Sequence, residues 1–540
     1  MKLQKELIFL FLIIILAGFL RLYKLDQNPP SPYWEEAAIG FDSWSILKTT
    51  KDHHGNIFPI TAFQSFGDYK PSFYFYLNTI SEAIFGLNTF AVRLPSALAG
   101  IGTVIAVYFL ILITFREHRS VQSLALISSL LLAIVPWHIL ISRVGFETNV
   151  SFFLDVLGLY LFIKFLKQKS PKIYVLFLSF IFWALSIYTY HSARVFIPLL
   201  ILSLIFIYRE KAWQQKKQIL LSGIIFVLFL IPLIVKISSP EIRQRFNETS
   251  ALATLEPVLA SNAAIASDGG SRVAKLIHHR YWYYGKILVQ NYLSHFDYNF
   301  LFLNGDQNYR HSIGLVGQLY WIYAPLILLG LYFYIRKKEK NLTPILTFTL
   351  LAPIPAALTT GTPHALRTLP MVLGLVVLAA YGFINIWEKI EKKKNLNKFL
   401  ATFFSLILLF HLTQFWHYYW HTYRNKYAGQ WQYGYQELMH YVGQVRLNYD
   451  AVLMTRDYGR PAMYYWFYNQ IDPELVQKWN SIYPKDQGEY LQFENIYFGI
   501  NPNIMGKRLQ IETKEMLDAS LIKTVNNLDG KPVFYIYETL

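Results

Sequence analysis

The sequence predicts an all-α polytopic membrane protein with about eleven transmembrane helices, followed by a small C-terminal α/β domain. The 540-residue chain is 54% hydrophobic and 17% aromatic, yet only 16% of it is charged, against about 25% in a typical soluble domain. Apolar stretches of about 20 residues, the length that crosses a bilayer, recur along most of the chain. Beyond residue 415 the sequence turns polar and shows strand patterns instead.

The apolar stretches define the predicted spans. The first is followed by LRLYKLD with no small-residue cleavage site, which indicates a retained helix and not a signal peptide. The predicted spans are 6–22, 88–114, 121–141, 149–166, 173–190, 193–208, 218–236, 314–335, 343–360, 367–387 and 397–415.

Basic residues predict the orientation of these spans. With the N-terminus in the cytoplasm, the basic clusters between the spans fall on the cytoplasmic side, as the positive-inside rule requires. The clusters are Arg116 and Arg119; Lys164, Lys167, Lys169 and Lys172; Arg209, Lys211, Lys216 and Lys217; Arg336, Lys337, Lys338 and Lys340; and Lys389, Lys392, Lys393, Lys394 and Lys398. The net charge of +16 therefore reflects the positive-inside pattern and does not indicate a nucleic-acid groove, and the plasma membrane is the expected location.

Three long segments are then expected outside the membrane. Two are loops, at about 23–87 and 237–313, within a membrane domain of residues 1–415. The third is an extracytoplasmic domain, residues 416–540. In it AVLMTR (451–456), ENIYFGI (494–500) and KPVFYIYETL (531–540) predict strands, and YQELMHYVGQV (435–445) predicts a helix.

Several kinds of chemistry are excluded or weakly supported. The chain has no cysteine, which rules out disulfides, thiolate metal sites and cysteine nucleophiles. It also has no Gly-rich nucleotide-binding loop. The adjacent pairs His53–His54 and His278–His279 are read as ordinary turn residues, because adjacent side chains rarely face one ion. No metal site is assigned from the sequence.

Ionisable and aromatic residues gather in the predicted outer turns. They are Glu35 and Glu36 beside Trp34, Asp68 and Lys70, Arg143 and Glu147, His191 and Arg194, then His295, Asp297, Asp306, Arg310 and His311 in or beyond the second large loop, and finally His364 and Arg367. Carboxylates, cations and aromatic rings at one membrane face are typical of a site for a charged head group attached to a lipid. Simpler readings stay open: Trp34 as an interfacial anchor, Arg194 as a snorkelling residue, and Arg143 with Glu147 as a local ion pair.

These motifs resemble the GT-C glycosyltransferases, and more narrowly the group of protein O-mannosyltransferases and lipid A aminoarabinose transferases. The resemblance covers about residues 15–390 and is most specific over 25–110. It rests on the acidic pair Glu35–Glu36, on Lys70–Pro71 before an aromatic run, and on Phe85 to Gly100, FGLNTFAVRLPSALAG. The turns RVGFE, YTYHSARVFIP and PHALRTLP also resemble this group.

Two departures from the family pattern stand out. The family usually has Asp-Glu where this chain has Glu35–Glu36, and Lys-Pro-Pro where it has Lys70–Pro71–Ser72. The extra methylene of Glu35 displaces a catalytic carboxylate by roughly 1 Å, a misplacement that can cost on the order of 100-fold in rate unless the pocket compensates. Because the surrounding motif is kept, we expect compensation.

The resemblance implies transfer of a sugar from a polyprenyl-phosphate donor to an acceptor hydroxyl of a lipid, glycan or protein on the extracytoplasmic face. Glu35 is the candidate base, with Glu36 orienting it or binding acceptor. The expected donor-phosphate ligands are Lys70, Arg143, Arg194 and Arg367, and the supporting or acceptor-binding residues are Asp68, Glu147, His191 and His364. One base and direct displacement predict inversion. Some GT-C enzymes use a divalent metal, which leaves that cofactor open.

The alternatives are a transporter of lipid-linked substrates and a membrane protein that binds lipid without catalysis. Transporters place ionisable residues near the bilayer midplane. Here Asp155 is the main charged residue inside a predicted span, so transport is the weaker hypothesis.

Overall fold

The computed structural model describes residues 2–239, 248–480, 482, 485–486, 488–502, 504–517 and 519–539. Part of the predicted outer loop 237–313, residues 240–247, therefore lies outside the described residues. The described chain is mostly helical, with a β-sheet near its C-terminus, as the sequence predicts.

Helices dominate the first half of the chain. Their bounds are Lys2–Leu22, Trp34–Thr49, Phe73–Phe85, Thr89–Thr114, Val121–Ile134, Pro136–Ser142, Glu147–Lys167, Ile173–Ile187, Ala193–Ile207, Arg209–Gln214 and Lys216–Val235. A short hairpin, β1 (Phe63–Ser65) and β2 (Asp68–Lys70), separates the second and third of these helices.

The second half continues with helices and ends in strands. The helices are Glu256–Ser267, Arg272–Ile277, Arg280–Ser294, Tyr323–Lys337, Thr343–Leu351, Pro353–Ala357, Val372–Ile390, Lys394–Tyr418, Arg424–Lys426, Tyr435–Val445, Pro461–Tyr468 and Pro473–Trp479. The strands are β3 (Ala451–Met454), β4 (Lys485–Asp486), β5 (Glu489–Tyr490), β6 (Gln492–Phe493), β7 (Ile496–Phe498), β8 (Arg508–Glu512), β9 (Ser520–Asn526) and β10 (Pro532–Thr539).

Five helical segments among the described residues are long and apolar enough to cross a membrane. They are Thr89–Thr114, Glu147–Lys167, Lys216–Val235, Leu369–Ile390 and Asn395–Lys426. A sixth is obtained if Val121–Ile134 and Pro136–Ser142, which meet at a bend of 59°, form one broken span. The apolar helices Ile173–Ile187 and Ala193–Ile207 are shorter. The chain thus has the helices of a multi-pass membrane protein, and the count of eleven stays a prediction.

Two predicted spans differ in detail from the helices that form. The span predicted to begin at 314 becomes helical only at Tyr323, because the segment before it consists of bends and turns and Leu319 N donates to Leu301 O at 2.7 Å. The span predicted at 343–360 is two short helices, and the second begins at Pro353, which lacks the backbone N–H that a continuous helix needs.

The chain divides into two compact units. The first comprises Met1–Ala17, Gly100–Ile141 and Thr148–Thr413. Within it, helices Tyr323–Lys337 and Val372–Ile390 pack closely, and a Cβ added at Gly330 would lie 2.2 Å from Leu378 O. The absence of a side chain therefore lets these two backbones approach, a common device of helix packing in membranes.

The second unit comprises Gly18–Ala99, Ser142–Glu147 and Gln414–Leu540. Its six-stranded sheet has the order β6-β7-β3-β8-β10-β9. β3 is central and parallel to both β7 and β8, while the β6–β7, β8–β10 and β9–β10 pairs are antiparallel. The strands β3, β7 and β10 and the helix Tyr435–Val445 confirm the sequence predictions for this region.

Helix Trp34–Thr49 belongs to the core of the second unit. It packs against helices Phe73–Phe85, Pro461–Tyr468 and Pro473–Trp479. Tyr464 Oη donates to Pro32 O at 3.0 Å, just before the helix begins. The segment that carries the acidic pair is therefore held by residues from the C-terminal part of the same unit. The predicted division into domains 1–415 and 416–540 stays a proposal.

Candidate active site

The acidic pair begins helix Trp34–Thr49, and the helix start fixes the direction of each carboxylate. Glu36 is the third helical residue, and its Oε2 accepts a hydrogen bond from the Tyr33 N–H at 3.2 Å. This bond satisfies a donor that the first turn leaves unpaired. A carboxylate in the first turn is also favoured by the helix dipole. Glu36 consequently points back into the protein.

Arg93 completes the environment of Glu36. Arg93 Nε donates to Glu36 Oε1 at 2.8 Å, and Nη2 donates to Oε2 at 3.1 Å, so the pair is bidentate. Both side chains are fully buried. The remaining guanidinium donors bind the backbone oxygens of Leu25, Pro29 and Ser31. A bidentate pair of this kind is both strong and directional.

The turn at 143–146 supplies one more donor to Glu36. Gly145 N donates to Glu36 Oε1 at 2.9 Å, and a Cβ at this position would lie 3.3 Å from Glu36 Cγ. Burial, together with the negative charges of Glu36 and Glu147, raises the pKa of Tyr74 well above its ordinary value. Glu147, which is also buried, thus lies near Tyr74, as Glu36 does.

Glu35 has a different environment from its neighbour. Its Oε1 accepts from Lys70 Nζ at 2.8 Å and its Oε2 accepts from Tyr33 Oη at 3.0 Å. The Glu35 side chain is 29% exposed, whereas that of Glu36 is 0% exposed. Of the two adjacent carboxylates, Glu35 is therefore the one that solvent or a substrate reaches.

Lys70 is presented by the short hairpin. The β1–β2 turn uses Phe66 and Gly67, both with positive φ, and pairs Ser65 with Asp68. Lys70 Nζ lies 3.3 Å from Asp68 Oδ2 in addition to its contact with Glu35. Two carboxylates thus surround one ammonium group, and all three side chains are partly accessible.

Arg143 has the environment of a structural residue, because its guanidinium is buried and bound mainly to backbone oxygens. It is fully buried, and its guanidinium lies 5.5 Å from the ring centroids of Tyr419 and Trp420. Its Nε, Nη1 and Nη2 donate to the backbone oxygens of Leu20, Tyr23, Lys24 and Asn28 and to Tyr419 Oη. These acceptors tie the end of the first helix to the turn at 143.

Four of the predicted site residues belong to the first unit. Arg194 Nε and Nη2 are buried and have no hydrogen-bond partner within the described part of the chain. Arg367 Nη1 donates to Thr359 Oγ1 at 2.6 Å and to Thr360 O at 2.8 Å. His191 is partly buried at the turn before helix Ala193–Ile207. The two buried donors of Arg194 could therefore bind an anion.

His364, the fourth, is part of a cluster that the sequence analysis missed. It lies beside Asp306 and His311, and the rings of His311 and His364 have centroids 5.0 Å apart. Asp306 and His364 are separated by more than fifty residues, so no local spacing signalled the cluster. Arg93 has no predicted role either, although it lies within the motif FGLNTFAVRLPSALAG.

Comparison with known proteins supports the resemblance that the motifs indicated. Residues 69–235 match the family model described as dolichyl-phosphate-mannose-protein mannosyltransferase. YkcB of Bacillus subtilis, a proposed mannosyltransferase, is 29% identical over 182 residues, which are 33% of this chain and 24% of YkcB. The matched part of this chain therefore spans about a quarter of that relative.

The fold is similar to that of solved structures of ArnT from Cupriavidus metallidurans. The apo structure matches with a TM-score of 0.58 at 9% identity, covering 100% of this chain and 99% of ArnT. The structure bound to undecaprenyl phosphate matches with a TM-score of 0.53 at 10% identity, covering 98% of each chain. The predicted resemblance is thus confirmed by the family match over residues 69–235, and the fold is that of ArnT.

Proposed function

We propose that this protein is a membrane glycosyltransferase that moves a sugar from a polyprenyl-phosphate donor to an acceptor hydroxyl, with inversion at the anomeric carbon. The observation that carries the proposal is the Glu35–Lys70 pair, a partly exposed carboxylate in contact with a largely buried ammonium group. The family match and the ArnT fold support the same reaction class. A base and a phosphate-binding cation at one place are what such a reaction needs.

Glu35 is the general base of the proposed reaction. Glu36 cannot easily accept a further proton because both its oxygens already accept hydrogen bonds from Arg93, and further bonds come from Tyr33 N and Gly145 N. Glu35 is held by Lys70 and Tyr33, but its side chain remains accessible. Glu36 and Arg93 instead fix the start of helix Trp34–Thr49, and this in turn fixes the position of the neighbouring Glu35.

Lys70 changes partner in the proposed reaction. In the structure its charge is balanced by Glu35 and Asp68. A donor phosphate would compete for the same ammonium group and leave Glu35 free to accept a proton. Asp68 would keep the Lys70 side chain in place during the exchange.

The proposed displacement needs no general acid. The acceptor oxygen bonds to the anomeric carbon, and the bond from that carbon to the phosphate oxygen breaks. The hydroxyl proton passes to the Glu35 carboxylate, and polyprenyl monophosphate leaves with one more negative charge. Since a phosphate monoester has a second pKa of about 6, it departs without being protonated.

The other predicted phosphate ligands are assigned separately. Arg194, in the first unit, stays a prediction from the sequence, and two of its buried nitrogens have no partner in the described part of the chain. Arg367 also stays a predicted phosphate ligand, and its Nη1 donates to Thr359 and Thr360 of the same loop. Arg143 is reassigned to a scaffold role, since its donors bind backbone oxygens and a tyrosine. Glu147 and His191 remain proposed acceptor-binding or supporting residues.

We also propose eleven spans in the plasma membrane, with a cytoplasmic N-terminus and residues 416–540 outside the cell. The absence of cysteine makes this easy to test by labelling introduced cysteines. Glu437→Cys should react with a membrane-impermeant maleimide in intact cells, and Lys217→Cys should react only after permeabilisation. The opposite pattern would overturn the proposed orientation.

The reaction itself is tested with purified protein in lipid, a panel of radiolabelled polyprenyl-phosphate sugars and a membrane extract as acceptor. Wild type is compared with Lys70→Ala and with the control Lys523→Ala, whose lysine forms an exposed ion pair with Glu437. Transfer of one sugar by wild type and the control, and its loss in Lys70→Ala, is the expected result. Equal transfer by all three proteins would contradict the role of Lys70, and no transfer by wild type would contradict the proposed reaction.

A further inference from the structure

Two histidines and one aspartate meet in the first unit, outside the carboxylates described above. Asp306, His311 and His364 each offer one ligand atom, and these atoms lie within 4.8 Å of one another. His311 Nδ1 lies 3.2 Å from Asp306 Oδ2. The first two residues are in the loop after residue 303, and the third is in the turn before Arg367.

The surrounding protein holds these side chains in place. Asp306 Oδ1 accepts from Asn308 N at 2.8 Å, and Oδ2 accepts from Ala365 N at 2.7 Å. His364 N donates to Nε2 of His295, a fully buried histidine. Bonds that orient ligand groups from outside are typical of built metal sites.

One atom of the cluster lacks a partner. His364 Nδ1 is buried, and no hydrogen bond reaches it within the described residues. A buried polar atom without a partner is costly, and a ligand at this position would remove the cost.

We propose that Asp306, His311 and His364 bind one divalent transition-metal ion of the zinc type. Two imidazole nitrogens and one carboxylate oxygen match the ligand preference of Zn²⁺ and not that of Mg²⁺ or Ca²⁺, which favour oxygen. Three protein ligands leave a fourth position for water or another oxygen donor.

The bound ion would join two segments that are distant in sequence. Asp306 and His311 lie in the loop that leads to helix Tyr323–Lys337, and His364 lies in the turn between helices Pro353–Ala357 and Val372–Ile390. The metal would therefore act as a cross-link within the first unit. This inference does not depend on the proposed sugar transfer.

The test uses the full-length protein, purified in detergent with an affinity tag free of histidine and stripped with a chelator. Zinc per chain is measured by mass spectrometry after dialysis against Zn²⁺, and Tm is measured with and without Zn²⁺. We expect close to one zinc per chain and a rise in Tm on the order of 5 °C. Mg²⁺ should give no rise.

Two variants and one control assign the binding to these residues. His364→Ala and Asp306→Asn should each weaken zinc binding at least ~10-fold and abolish the rise in Tm. His279→Ala, which removes an exposed histidine of the same unit, should bind zinc like wild type. Because asparagine has nearly the shape of aspartate, Asp306→Asn still tests the site if His364→Ala fails to fold. Wild type holding no more zinc than these variants would overturn the proposal.

Discussion

The Arg93 guanidinium and the Glu36 carboxylate form a buried bidentate pair, with N–O distances of 2.8 and 3.1 Å. This pair gives two adjacent glutamates different environments. Glu36 is enclosed and saturated with donors, and Glu35 faces Lys70 at an accessible position. The following predictions depend on that difference.

Glu36→Gln should reduce stability while Glu437→Gln should not. Breaking a buried pair leaves the Arg93 charge without compensation and costs about 3–5 kcal/mol. The control removes an exposed ion pair with Lys523, worth less than ~1 kcal/mol. Tm of the purified proteins checks this, and a Glu36→Gln protein as stable as wild type would contradict the structural role of Glu36.

Glu35→Asp should keep the fold but slow the reaction. The shorter side chain withdraws the carboxylate by roughly 1 Å from Lys70, enough to cost on the order of 10- to 100-fold in rate. The measurement is the initial rate of sugar transfer at saturating donor. A faster Glu35→Asp enzyme would mean that the pocket suits the family's usual aspartate and not this chain's glutamate.

Gly330→Ala should destabilise the first unit, and Gly223→Ala should not. The added Cβ at 330 would lie 2.2 Å from Leu378 O, whereas nothing lies within 4 Å of one at 223. Because alanine is a better helix former than glycine by up to ~1 kcal/mol, the control variant Gly223→Ala should be slightly more stable than wild type. Tm distinguishes the two, and equal values would show that the helices separate without cost.

Stability should decline as the pH falls, partly because of His54. Burial, followed by the charge of His53, lowers the pKa of His54 to about 3 against an ordinary 6.5. Between these values the unfolded chain binds the extra proton, so lowering the pH from 7 to 5 reduces the free energy of unfolding by about 2 kcal/mol through this group.

The variant His54→Gln tests that assignment. The glutamine amide can still donate to Asn480 Oδ1, which lies 3.1 Å from His54 Nδ1. The Tm of His54→Gln should change less than the Tm of wild type between pH 7 and pH 5. His53, Asp42 and Asp52 face the same ring and are kept unchanged, and an identical decline in both proteins would rule out His54 as its source.

Local patterns in the sequence predict most of the elements. Helix Tyr435–Val445 and strands β3, β7 and β10 form where residue periodicity places them. The misplaced start at 314 has a physical reason that periodicity does not contain. Gly317 lies so close to the backbone of Leu301 that a Cβ there would clash at 2.5 Å, and the segment runs beside residues 300–301 before the helix begins.

The candidate site is only partly readable from the sequence. The sequence predicts that Glu35 and Lys70 share a site, because both occur in the same predicted outer loop. The enclosure of Glu36 depends on Arg93, which lies in the next apolar helix, and the burial of Arg143 depends on carbonyl oxygens at the end of the first helix. Such contacts arise from packing between distant segments, and no local spacing encodes them.

The most direct test of the account compares Glu35→Gln with Glu36→Gln. The initial rate of transfer from the active polyprenyl-phosphate sugar and the Tm are measured on the same preparations, with Glu437→Gln as control. We expect Glu35→Gln to keep the Tm of wild type and to lose at least ~100-fold in rate, as removal of a general base requires. A Glu35→Gln protein that transfers sugar at the wild-type rate would contradict the assignment of Glu35 as the base.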